Sequence, residues 1–292
     1  MPLDLEAIGT VGEPEHRSWE PDDALLYALG VGAGYPDPLQ ELCFTTENTG
    51  SAPQAVLPTF GVLKGMPGAS ALGSIGSFNP AMLVHADQGI EIHSTILPSG
   101  SVTATTTLVD IADKRSGALV STSTEVVDAD SGEALFTTRA GMFIRGEGGF
   151  GDTGDRSPAS QAGTGPPGIP DREPDHRITY ETLPHQALVY RLCGDRNPLH
   201  SDPQFAAMGG FDRPILHGLC TYGFTGRALL HALCDSDPGR FGSMYGRFSK
   251  PVMPGDTLTV EIWGDDDGSG ASFRTSTGDG SVVVDRGRFG LR

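Results

Sequence analysis

Apolar and polar positions along the chain fall into two similar series. Each opens on a short run with helical spacing, at 22–30 (DDALLYALG) and at 183–194 (LPHQALVYRLCG). Each closes on three runs in which apolar or β-branched residues alternate with polar ones, the signature of half-buried strands. In the first series these runs are 102–112, 119–129 and 133–145; in the second they are 257–264, 271–278 and 281–291. Turn sequences DSG, DDDG and GDG separate several of them. The segment 217–233 (HGLCTYGFTGRALLHAL) is apolar on nearly every side, so it predicts a buried helix rather than a surface one. Long buried helix followed by antiparallel strands predicts a sheet wrapped around a helix. The corresponding stretch of the first series, 58–98, is broken by prolines and glycines and predicts no such helix.

Between the series the pattern disappears. Residues 145–176 are dense in Gly, Pro, Ser and charge, and offer too little apolar surface to offset their ordering entropy. A domain plan follows, with an N-terminal unit 1–145, a linker 146–176 and a C-terminal unit 177–292. Tyr27-Ala-Leu29 returns as Tyr190-Arg-Leu192, and Pro98-Ser-Gly100 loosely as Pro254-Gly255, at nearly equal offsets. That spacing predicts one unit duplicated.

A length of 292 residues suits two domains at roughly 150 residues each. The formal net charge of −17 argues against nucleic acid, whose phosphates need a basic face, and against docking on anionic membranes. Cys43, Cys193, Cys220 and Cys234 show neither C-x-x-C pairing nor zinc spacing, and predict reduced thiols. Met1 is followed by acidic and polar residues, no apolar run is long enough for a membrane span, and Gly290-Leu291-Arg292 is not a peroxisomal address. The expected location is the cytoplasm, without membrane insertion.

Polar groups concentrate in Tyr190–Gly218. Asp195, Asn197 and His200 lie within six residues, on a loop given a turn by Gly194 and stiffened by Pro198. Asp202 before Pro203 reads as a helix N-cap, and His217 as a residue that packs or hydrogen-bonds at a helix start. Adding water across an activated double bond needs a group to take a proton from water, a group to deliver one to carbon, and a donor for the developing oxyanion. His and Asp suit the first two tasks. The backbone N–H of Gly218, at a helix N-terminus and without a side chain in the way, suits the third. Gly30–Gly34 lacks the third glycine and following helix of a dinucleotide fingerprint, and Asp265–Asp267 lacks calcium-loop spacing. His85 and His93 sit in strand-like sequence with no metal partner in view.

The pair Gly194-Asp-Arg-Asn-Pro-Leu-His200 and Asp212-Arg-Pro-Ile-Leu-His-Gly218 resembles the R-specific 2-enoyl-CoA hydratases and MaoC-like dehydratases. Tyr27-Ala-Leu-Gly-Val-Gly32 and Leu57-Pro-Thr-Phe-Gly61 are similar to the N-terminal half of the double hot-dog type. The resemblance implies an α+β double hot-dog fold, with a non-catalytic first repeat that binds the acyl chain and a catalytic second repeat. It implies reversible hydration of trans-2-enoyl-CoA to (R)-3-hydroxyacyl-CoA, with no cofactor, because coenzyme A is part of the substrate. A homodimer is the implied assembly. Asp195 and His200 match the catalytic pair, Asn197 the residue that fixes its geometry, and Gly218 the oxyanion donor. Glu47, Tyr190, Arg247 and Lys250 are assigned to substrate binding. With Tyr27 set on Tyr190, Gly32 falls at Asp195 and Asp37 at His200, so one site per chain is expected. Three alternatives stay open: dehydration on acyl carrier protein, thioester hydrolysis, and a non-catalytic acyl-thioester binding subunit.

Overall fold

The computed structural model of the chain describes residues 3–151 and 168–292. Ten strands form one antiparallel sheet: β1 (Glu15–Trp19), β2 (Leu83–Ile92), β3 (Gly100–Asp113), β4 (Gly117–Asp128), β5 (Ala134–Arg145), β6 (His176–Glu181), β7 (Phe241–Phe248), β8 (Thr257–Gly264), β9 (Gly270–Thr277) and β10 (Val282–Leu291). Their order in space is β1-β3-β4-β5-β2-β7-β10-β9-β8-β6. The second five therefore mirror the first five, and the duplication expected from the sequence is the symmetry of the sheet. The halves join at β2 and β7, where Asp87 pairs with Arg247 and Glu91 with Ser243.

The helices are α1 (Pro21–Gly30), α2 (Leu42–Thr45), α3 (Gly61–Lys64), α4 (Ala69–Gly73), α5 (Gln186–Tyr190), α6 (Pro203–Met208) and α7 (Gly218–Leu233). Every residue of α7 from Leu219 to Leu230 is buried, as its all-round apolar sequence requires. In the first half the helix is indeed broken. A 3₁₀ turn (Pro58–Phe60) runs into α3 and stops at Gly65, where an added Cβ would lie 2.4 Å from Thr138. A second apolar cluster, including Leu3, Ala7, Ile75, Leu108 and Ile144, covers the sheet beyond that break.

Two parts of the linker behave unlike free chain. Gly149 and Gly151 donate their backbone N–H groups to the Asp113 carboxylate. At the other end, Trp263 Nε1 donates to the Arg172 carbonyl and Gly264 N to Asp175. Residues 152–167, the middle of the expected linker, lie outside the described residues.

Candidate active site

The loop between α5 and α6 is built to hold its polar groups still. Gly194 has φ of +130°, a conformation L side chains rarely adopt, and it turns the chain into Asp195. Asn197 Oδ1 accepts the Leu199 N–H at 3.0 Å and so caps the 3₁₀ turn Pro198–His200, while its own N–H donates to Asp195 Oδ1 at 3.3 Å. Asn197 thus fixes the spacing of the pair through the turn, and its side chain stays exposed. Asp202 caps α6 by accepting from Gln204 N and Phe205 N, with Pro203 in the first helical position, as expected.

His200 is 8% exposed and its Nδ1 lies 2.9 Å from the Ile215 carbonyl. A carbonyl only accepts, so Nδ1 carries the proton and Nε2 keeps a lone pair. Burial lowers the His200 pKa, which favours the neutral ring. Polar side-chain atoms of Asp195, His200 and His217 all lie within 4.8 Å of one another. His217 itself is fully buried. Its Nε2 donates to the Asp195 carbonyl at 3.1 Å, and its ring stacks on His200 with centroids 3.7 Å apart and planes 26° apart. Burial first, and then the neighbouring His200, hold its pKa at about 2.

Gly218 opens α7 immediately after His217, so its N–H has no preceding carbonyl of the helix to bond. A Cβ there would sit 3.4–3.5 Å from the Phe248 ring. Phe248 in turn meets His85 of β2, edge to face at 5.3 Å. His85 Nε2 is buried without a hydrogen-bond partner; burial lowers its pKa, and the Asp195 charge acts against that. The first half therefore supplies a residue beside the dyad. Strand alternation alone gave no sign of this, because it depends on β2 pairing with β7.

The other expected binding residues are placed less centrally. Tyr190 is fully buried, with its ring 4.9 Å from His217, so it packs against the site. Glu47 is exposed and bonds Asn48. The first-half acid tied into the second half is Glu41, which sequence reading missed. It takes Nε and Nη2 of the buried Arg227 at 3.0 and 2.6 Å, and His231 Nε2 at 2.7 Å. Arg247 stands on the sheet face 3.9 Å from Asp285. Lys250 donates to Ser281 Oγ at 3.3 Å in a shallow cavity of about 630 Å³. Arg274 also lines that cavity, but it is bonded to Glu261, and Asp279 and Asp285 oppose the cations.

Residues 18–146 match the MFE-2 hydratase 2 N-terminal domain and residues 167–286 the MaoC like domain. The chain is 45% identical to 3-hydroxyacyl-thioester dehydratase Y of Mycobacterium tuberculosis, covering 98% of both chains. It is 42% identical to enoyl-CoA hydratase ChsH3 of the same organism, covering 97% of each. Among solved structures, a MaoC-like dehydratase from Phytophthora capsici superposes with a TM-score of 0.85 at 32% identity, over 99% of this chain and 98% of that one. With the mirrored ten-stranded sheet and the loop carrying Asp195 and His200, these likenesses settle the lineage: the chain belongs to the MaoC-like dehydratases, in their double hot-dog, hydratase 2 form.

Proposed function

We propose that the protein catalyses the reversible hydration of trans-2-enoyl-CoA to (R)-3-hydroxyacyl-CoA, and so acts as a 3-hydroxyacyl-thioester dehydratase in the reverse direction. The observation that carries this is the lone pair of His200 Nε2, set free by the Nδ1 bond to Ile215 and held beside Asp195 and the N-terminus of α7. Substrate water lies between the Asp195 carboxylate and His200 Nε2. As its oxygen bonds to C3, Nε2 takes one proton, and negative charge moves onto the thioester oxygen. The Gly218 N–H stabilises that charge, and the dyad, with Asp195 as the relay, returns a proton to C2. The net change is OH on C3 and H on C2, with both side chains restored.

The names of the mycobacterial relatives support both the thioester and the CoA reading. Incubation with crotonyl-CoA tests it, by loss of the enoyl absorbance and chiral analysis of the product. A parallel assay with crotonyl-acyl carrier protein decides the carrier, and coenzyme A is the expected one. No described helix is long and apolar enough to cross a membrane. A cytoplasmic homodimer remains our reading of the assembly, and equilibrium sedimentation checks the dimer.

A further inference from the structure

We propose that His217 is a positioning residue that locks the proton-transfer pair to the oxyanion donor. It lies at the one point where the two parts of the site meet. Its Nε2–H holds the carbonyl of Asp195 at 3.1 Å, and it is followed directly in the chain by Gly218. Its ring stacks on His200 with centroids 3.7 Å apart and meets the Tyr190 ring at a tilt, with centroids 4.9 Å apart and planes 54° apart. One buried side chain therefore sets the height of the His200 ring, the backbone of Asp195 and the first amide of α7.

The chemistry of the ring fits this task and no proton-transfer task. With Nε2–H given to a carbonyl, the remaining lone pair is on Nδ1, which is buried without a hydrogen-bond partner. Asp195, His200, Arg191, Tyr190 and, through Asp195, His85 are the titratable or charged groups around this pair. Burial, His200 and Arg191 all disfavour a charge on His217, so the neutral ring is favoured. A ring that neither gains nor loses a proton acts through His200 and Asp195.

The inference rests on the hydratase reading, and the test separates the two. His217→Gln keeps an N–H that can reach the Asp195 carbonyl but loses the ring, whereas His217→Phe keeps the ring and loses the donor. If the carbonyl anchor sets the geometry, the Phe variant loses about 10²-fold in kcat on crotonyl-CoA, with KM within about threefold of wild type. The Gln variant recovers to within about tenfold of wild type. Should the Phe variant fail to fold, His217→Leu replaces it as the donorless form. A Phe or Leu protein that folds and turns over as fast as the Gln variant overturns the inference. A second readout does not depend on activity. In wild type the His217 Nε2–H gives a slowly exchanging imidazole resonance, and its absence also overturns the inference. A wild-type protein that shows this resonance but does not hydrate crotonyl-CoA overturns the hydratase reading instead.

Discussion

At the scale of single residues, the site depends on which nitrogen of His200 is free. Because Nδ1 is committed to Ile215, His200→Ala removes the proposed base outright, and Asp195→Asn removes the carboxylate proposed to share its water. Each variant is expected to lose about 10²–10⁴-fold in kcat while keeping its melting temperature near wild type, as steady-state kinetics and calorimetry would show. The pH profile follows from burial. Since the His200 pKa is lowered, the base stays neutral to below its usual value of about 6.5, and kcat/KM on crotonyl-CoA should hold through pH 6.5 and fall only at lower pH. An acid limb at or above 6.5 would contradict a buried neutral base. Gly218 makes a different demand. Its Cβ position has room against Phe248 at 3.4 Å, so Gly218→Val should fold yet block the thioester from the amide, with a loss of roughly 10²–10³-fold in turnover. Full turnover in that variant would remove the oxyanion role. The loop that groups Asp195, Asn197 and His200, and the glycine that opens α7, were legible in the sequence, because short-range spacing and backbone chemistry determine them. His85 and the buried place of Tyr190 were not, because strand pairing and helix packing across the chain determine those.

At the scale of elements, the long alternating strands and α7 could be read from the chain, since β3, β4, β5, β8, β9 and β10 each repeat an apolar face over eight or more residues. The edge strands β1 and β6 escaped. EHRSW and HRITYE carry charge on an exposed sheet edge, where charge guards against unwanted pairing and erases the hydrophobic signal. Glu41 escaped for a related reason: its loop has no periodicity, yet it reaches α7. Burial alone would raise the Glu41 carboxyl; bonds from His231 and Arg227 outweigh that and hold it at about 2. A folded-state pKa below the unfolded value adds stability that is complete above about 4.3 and is lost as pH falls toward 2. Glu41→Gln should flatten that acid limb in urea titrations. It should also cost about 3–5 kcal/mol at neutral pH, because Arg227 is left buried without its counter-charge. A loss under about 1 kcal/mol would mean that other carbonyls satisfy the guanidinium.

At the scale of the whole molecule, the two halves of the sheet mirror each other, but the residues proposed for chemistry lie on the second. The first-half position that answers to Asp195 is Gly32, where a Cβ would lie 2.3 Å from Phe224 and 3.2 Å from Arg227 Nη1. Helix α7 of the catalytic half thus fills the place a second dyad would need, and Asp37, which answers to His200, is exposed and caps Leu39. At Gly61, where the first-half chain enters α3, a Cβ would meet Ile90, Ile96 and Phe136, so this glycine is closed in by apolar side chains rather than open to a carbonyl. What the first half gains is the loss of its long helix. Beyond Gly65 only α4 and a 3₁₀ turn (Pro80–Met82) follow before β2, in keeping with the cost of about 3 kcal/mol for each interior proline and about 1 kcal/mol for each glycine. The apolar residues of this broken stretch do not share one wall. Leu63 and Met66 pack on the main core, while Leu72 packs on the second cluster with Ile75 and Ile144. If an acyl tail enters the first half, it runs between those two clusters. Medium and long chains, including bulky ones, should then bind, because each methylene buried contributes about 0.8 kcal/mol. Specificity constants for four-, eight- and twelve-carbon enoyl-CoAs measure this directly. They should rise with length, and activity confined to the four-carbon substrate would show that the gap left by the missing helix is closed by Leu72, Ile75 and their neighbours instead of opened to substrate.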